Sequence, residues 1–169
     1  FGSSGIGSAQ HMAGELFKYM AKIDLVHVPY KGGNAVYADL IGGQLQLSLQ
    51  PPGLAAAQIR AGRLKAVGVT SAGRSPLVPE YPSLAEGGIK GFQLEIWTAA
   101  AGPASLPQPI VAKLSALISE IARSPEIRQK LFQQGWQVAG TSAEGLANRI
   151  KADTAMLSTV IAVSGAKAR

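Results

Sequence analysis

The sequence predicts an α/β fold built on a mostly parallel sheet. Short apolar runs rich in β-branched residues alternate with helix-patterned stretches, and the connections between them are short. Two of the passages from strand to helix are also glycine-rich turns, which suits chain ends at one edge of a parallel sheet.

The first passage is "FGSSGIGSAQHMAGELFKYM". A strand end at Phe1 turns through GSSGIGS into a helix that begins near Ser8. Met12, Leu16, Phe17 and Met20 recur at helical spacing, with Gln10, His11, Glu15 and Lys18 on other faces. His11 and Glu15, one turn apart, read as a surface pair. Next comes "DLVHVPY", a strand ended by Pro29, in which His27 reads as a hydrogen-bonded structural residue. "KGG" then leads into the short helix "NAVYADLIGG". "QLQLSLQ" follows, with Leu45, Leu47 and Leu49 at strand period. Pro51, Pro52 and Gly53 break that run, and "LAAAQIRAG" forms a helix closed by Gly62. "LKAVGVT" reads as a buried strand.

From Ser71 to Gly91 the density of proline and glycine predicts loop, with one helical turn at Ser83 to Glu86. "FQLEIWTAAAGP" reads as extended, and the remainder is mostly helical. The helix from Pro107 to Ser124 places Ile110, Leu114, Leu117, Ile118 and Ile121 on one face. Ser124 is the expected N-cap of the next helix, with Pro125 at its first position and Gly135 at its end. Thr141 and Glu144 have capping-box spacing before a last helix, whose buried face is expected to be Leu146, Ile150, Leu157 and Ile161. Only "WQVAG" supplies a strand between these helices, which suggests a lobe whose other strands lie elsewhere.

Composition narrows the function. The 169 residues, 47% of them apolar, suffice for one core or two small lobes. No apolar run approaches the roughly 18 residues needed to span a membrane. No signal-peptide pattern opens the sequence, and the start at Phe1 suggests a chain that begins inside a longer protein. With no cysteine, disulfides and thiolate metal sites are excluded. The net charge of +6 would suit an anion, but Lys and Arg are scattered and only 6% of residues are aromatic. A nucleic-acid surface clusters its charge and interleaves stacking residues, so no nucleic-acid partner is expected.

The opening loop fails the tests for three chemistries. Ser8 stands where a phosphate loop needs Lys after its last glycine, and Ser4 where a dinucleotide loop needs its second glycine. Ile6 stands where a nucleophile elbow needs glycine. Two readings remain. Ser8 simply caps the helix, or the loop binds an anion at the helix start, with hydroxyls from Ser3, Ser4 and Ser8 and close backbone approach at Gly5 and Gly7. The second motif, "HVPYKGG", supports the anion reading, because two such ends in a parallel sheet share an edge. Tyr30 would offer a hydroxyl, and the amides of Gly32, Gly33 and Ala35 would point at the same ligand. Lys31 adds charge but reads first as a solvated side chain.

The motifs "SSGIGSAQHMAGELF", "VHVPYKGG", "LIGGQLQ", "IRAGRLKAVGVTSAGRSPLVPEYPSLAEGG", "GFQLEIW", "AGPASLPQPIVAKL" and "SPEIRQKLFQQG" occur in one order. Together they resemble the tripartite tricarboxylate transporter receptors, the Bug family of periplasmic solute-binding proteins. The resemblance implies the type II periplasmic-binding-protein fold: two α/β lobes hinged around a buried organic carboxylate. Residues 1–95 would be the second lobe and residues 96–169 the C-terminal part of an incomplete first lobe. It also implies a family chain nearly twice as long, a periplasmic location, and membrane components of a transporter as partners of the full-length protein. The expected ligand residues are Ser3, Ser4, Gly5, Gly7, Ser8, Tyr30, Lys31, Gly32, Gly33, Ala35 and Gln50. No cofactor, metal or catalytic residue is expected.

Two departures from the family pattern bear on the ligand. Gln46 stands where Asp is common, and Gln50 and Pro51 stand where a small polar residue and Asn are common. An amide at Gln50 can donate to a carboxylate or accept from a hydroxyl or amine, so the solute stays open. Two other functions compete. One is a hydrolase using Ser3, Ser4 or Ser8 with His11 and Asp39; the other is an interaction module that binds no solute. Helices left without their sheet are expected to make the 169 residues dimerise, swap segments or fold back on the remaining lobe.

Overall fold

The computed structural model describes residues 1–164. Its contacts divide the chain into one unit of Phe1–Ile96 with the segment from Met156 onward, and a second of Trp97–Ala155. The end of the last helix thus groups with the first unit, whereas the sequence reading placed all of residues 96–169 in the second.

In the first unit, β1 (Gly2–Ser3) pairs in parallel with β2 (Val28–Pro29), Gly2 opposite Val28 and Ser3 opposite Pro29. Gly2 also bridges in parallel to Ser48, with its N–H donating to Leu47 O at 3.0 Å. β1 is therefore central, and the strand ends at Ser3, Pro29 and Ser48 share one edge. The helices α1 (Ala9–Ala21), α2 (Gly33–Ile41) and α3 (Pro52–Arg60) follow those three ends in turn. The start of α1 matches its sequence signal, whereas α3 starts at Pro52, ahead of the expected "LAAAQIRAG". Ser8 caps α1 by accepting the His11 N–H at 3.2 Å, and Pro52 opens α3.

The sheet is smaller than the sequence reading expected. "LKAVGVT" contributes one bridge, between Val69 and Ser83, and neither "FQLEIW" nor "WQVAG" forms a strand among the described residues. A strand exists only through a neighbour that completes its ladder, so an apolar run without one stays extended chain. The core of this unit is Met12, Ala13, Leu16, Phe92, Leu94 and Val160, with Phe17, Met156 and Leu157 packed against it. Each large apolar side chain fully buried there contributes about 1.5–3 kcal/mol.

The second unit holds α4 (Gln108–Arg123), α5 (Pro125–Gln133) and the first part of α6 (Ala143–Ser164). Ser124 occupies the N-cap position of α5, but its hydroxyl donates back to Ile121 O at 2.8 Å and leaves the new helix without a side-chain cap. The cap of α6 is Ser142, which accepts the Gly145 N–H at 3.1 Å, one residue beyond the expected Thr141. The expected buried face of α6 is corrected as well. Among the described residues Val160 is the buried one, while Ile150 and Ile161 are 45% and 44% exposed. On α4 no residue is buried, and Ile110, Leu114, Leu117, Ile118 and Ile121 are all exposed.

An apolar stripe of that length in water favours association. At micromolar concentration the 169-residue chain should self-associate, and Leu114→Lys with Ile118→Lys should reduce it. Light scattering reads both, and a monodisperse monomer of the unsubstituted chain would contradict the expectation.

Candidate functional site

Two loops leave adjacent parallel strands side by side. The Tyr30 N–H donates to Ser3 O at 2.9 Å, and a Cβ at Gly5 would sit 3.6 Å from Tyr30 O. Gly5 (φ 143°), Gly7 (φ 78°) and Gly32 (φ 118°) hold conformations that other residues rarely adopt, which lets both loops turn sharply into their helices. Gly32 caps α2 without any side-chain hydrogen bond. Among the described residues, the first amides of α2, from Gly33 to Ala35, therefore have neither an intrahelical acceptor nor a side-chain cap.

The proposed ligand residues do not share one environment. Ser4, Gly5 and Ser8 are half-buried, and Ile6 and Gly7 are exposed at the tip of the first loop. Ser3, also among the expected ligand residues, is fully buried, and its hydroxyl is engaged within the loop. Its Oγ donates to Gly5 O at 3.0 Å, accepts the Gly5 N–H at 3.2 Å and lies 2.7 Å from His27 Nε2. With the Ser3 proton on Gly5 O the neutral His27 ring donates from Nε2, and with that proton turned to His27 the ring accepts it. The Ser4 hydroxyl, by contrast, has no hydrogen bond among the described residues. Lys31 is exposed and makes no ion pair among them.

The Tyr30 hydroxyl donates to Asp39 Oδ2 at 2.6 Å, which pushes the phenol pKa up. Asp39 also anchors the end of α2, its backbone O accepting from the Gln44 and Leu45 amides. This arrangement works against the hydrolase reading. Asp39 is committed to Tyr30, and His11 Nδ1 accepts the Gly7 N–H at 3.1 Å. A base must be within reach of its nucleophile and held by its orienter, and His11 meets neither condition with Asp39.

His11 was expected on the surface with Glu15, yet both are buried at 5% and 7% exposure. The His11 ring stacks on His27 at 3.9 Å between centroids, and Phe1 stacks on the His27 ring at 4.9 Å. His11 Nε2 lies 3.8 Å from Glu15, which also pairs with Lys18 at 3.3 Å. Burial lowers both histidine pKa values. For His27 the neighbouring His11 and Lys18 add to it, and the value falls from 6.5 to about 4. For His11, Glu15 opposes the shift and Lys18 assists it.

The consequence for stability has a definite sign. Below pH 6.5 the unfolded chain binds more protons at these positions than the folded one. Their contribution is therefore full above pH 6.5 and declines as pH falls toward about 4. Melting temperature should drop across that window, and His27→Gln should flatten the drop. Identical pH profiles for the two proteins would contradict this assignment.

Sequence reasoning named Gln50 but missed the side chains that hold it, Gln10 and Ser48. Gln10 is buried, its Oε1 accepts the Ser4 N–H at 2.8 Å, and its Nε2 donates to Gln50 Oε1 at 2.8 Å. Gln50 in turn donates to Ser48 Oγ at 2.8 Å, and Ser48 donates to Gly2 O at 2.9 Å. This chain of neutral groups ties the first loop to the end of the third strand segment, and so places Gln50 at the edge where the loops lie. The sole clue in the sequence was a long amide on the first turn of a helix that follows a glycine loop.

Comparisons with known proteins agree with this architecture. The family model described as the tripartite tricarboxylate transporter family receptor matches residues 1–165. A UPF0065 protein from the tcbD–tcbE intergenic region of Pseudomonas sp. strain P51 is 34% identical over 91% of this chain and 46% of its own length. BugT of Bordetella pertussis is 29% identical over 80% of the chain and 41% of its own length. The chain thus spans about half the length of these curated relatives. Among solved structures, an R. palustris protein with adipate superposes with a TM-score of 0.87 at 28% identity, covering 98% of this chain and 55% of that one. The periplasmic binding protein BugD gives 0.83 at 29% identity, covering 99% and 57%. MatC from Rhodopseudomonas palustris with bound malate gives 0.80 at 29%, covering 95% and 55%. The fold is that of periplasmic binding proteins, mixed α/β with a small parallel sheet. By the match over nearly its whole length, the chain belongs to the tripartite tricarboxylate transporter receptor family.

Proposed function

We propose that this chain forms half of the ligand cleft of a periplasmic receptor, which captures a small organic carboxylate and delivers it to the membrane components of a tripartite transporter. The observation that carries the reading is the pair of glycine loops at adjacent parallel strand ends, each opening a helix start. Both helices direct positive dipole ends to that edge, and the unpaired amides of α2 and the Ser4 and Ser8 hydroxyls supply neutral donors. Structures with adipate and with malate among its structural neighbours support a carboxylate as the ligand class.

A hydrogen bond to a carboxylate contributes about 1.5–3 kcal/mol, so several neutral donors hold an anion without a lysine. Calorimetry on the full-length receptor with adipate, malate and a tricarboxylate tests the reading. At least one should bind, and Ser4→Ala should weaken it about tenfold, more than Lys31→Ala does. A larger loss for Lys31→Ala would overturn the neutral-donor account. A folded receptor that bound no carboxylate would overturn the function itself.

A further inference from the structure

The hydrogen-bond chain from Ser4 to Gly2 has a fixed direction. It starts at a backbone N–H, which can only donate, and ends at a backbone carbonyl, which can only accept. Each link between them must therefore accept on one side and donate on the other. Gln10 presents Oε1 to Ser4 and Nε2 to Gln50; Gln50 presents Oε1 to Gln10 and Nε2 to Ser48. Flipping either amide would set donor against donor and acceptor against acceptor. The amide orientations, normally ambiguous, are decided by the chain's two ends.

This leaves Gln50 with a definite surplus. Its Oε1 is engaged by Gln10, and its Nε2 spends one proton on Ser48 Oγ. The second Nε2 proton has no acceptor among the described residues, and the side chain is half-buried beside the first loop. We propose that Gln50 is a specificity-determining donor, locked in that orientation by Gln10 as a positioning residue. It selects solutes that bring an oxygen acceptor, a carboxylate or carbonyl, to the third strand end. A solute bringing an ammonium there leaves the amide proton unpaired and faces it with another donor, so it is rejected. This rests on the carboxylate reading above and narrows it, because the same cleft would otherwise admit amino acids.

The test compares pairs of solutes that differ in one end group, by calorimetry on the full-length receptor. Adipate is set against 6-aminohexanoate, and malate against 3-amino-2-hydroxypropanoate. The unsubstituted receptor should favour the dicarboxylate of whichever pair it binds by at least tenfold. Gln50→Glu keeps the size and still accepts from Gln10 but has no proton to give, so the preference should shrink more than tenfold or invert. Gln10→Glu still accepts from Ser4 but cannot donate to Gln50. It should shift the preference in the same direction, and the double variant should shift it less than the sum of the two. Unchanged melting temperatures would separate these effects from loss of fold, and Gln50→Met, which removes the donor without adding charge, should also reduce the preference. A receptor that binds a dicarboxylate while Gln50→Glu and Gln50→Met leave the preference unchanged would overturn this proposal and leave the carboxylate reading standing. A receptor that binds none of the four solutes or a tricarboxylate would overturn both.

Discussion

Replacing Phe92 with alanine should cost about 3–5 kcal/mol, the range for emptying a large aromatic site in a packed core. Phe92 is 1% exposed and packs with Met12, Ala13, Leu16, Leu94 and Val160. Its ring meets the edge of Phe17 at 6.4 Å and 75°, an arrangement that adds about 0.5–1.5 kcal/mol beyond burial. These neighbours come from α1, from the segment after Gly91 and from the end of α6, so no single element can close the cavity. A domain of ordinary stability has about 5–15 kcal/mol in total, so a visible unfolded fraction is expected. Urea unfolding measures it, with Phe92→Leu as a milder control. A loss below about 1 kcal/mol for Phe92→Ala would mean that the core lies elsewhere.

Gly2→Val should damage stability and binding together. A Cβ at Gly2 would collide with the Leu45 side chain and lie 3.0 Å from Val36 Cγ1. Val36 is fully buried and β-branched, so it cannot swing aside. Overpacking of this kind costs about 1–3 kcal/mol. The strain also falls where it matters for the ligand, because Gly2 is the central residue between Val28 and Ser48. Displacing it moves the first loop against the second, and a misplacement of about 1 Å can cost about a hundredfold where geometry is held tightly. Carboxylate affinity of the full-length receptor should therefore fall more than tenfold while the protein still melts cooperatively. Affinity equal to that of the unsubstituted receptor would show that the loop spacing does not matter.

What the sequence made legible follows from where each signal is stored. Helices carry their own instructions: the Met12–Leu16 spacing, the Ser8 cap and Pro125 at a first turn are all local, and those helices appear where these place them, while Pro52, read as a breaker, in fact opens α3. Strands do not. "LKAVGVT" and "WQVAG" have strand composition, but a ladder needs a partner, and composition does not say whether one is present. The polar residues of α1 misled for a different reason. Periodicity assigns a polar side chain to the outside, yet Gln10, His11 and Glu15 are buried because the loops and Phe1 cover that face of the helix. Their burial is tolerable because each finds a partner: Ser4 and Gln50 for Gln10, Gly7 for His11, Lys18 for Glu15. The Gln10–Gln50 bond joins residues 40 apart in sequence, and no local pattern encodes it. The glycine loops were readable because a turn through positive φ is a local demand, and glycine meets it without the strain a Cβ would add.

The central claim is that neutral donors on two neighbouring loops hold the carboxylate. Backbone amide resonances of the full-length receptor, followed by NMR during titration with the carboxylate that binds best, test it most directly. The amides of Ser4 to Ser8 and of Gly32 to Ala35 should shift together and saturate at one common affinity, with the Gln50 side-chain amide moving with them. Saturable shifts confined to other parts of the chain, with both loops unmoved, would contradict the account.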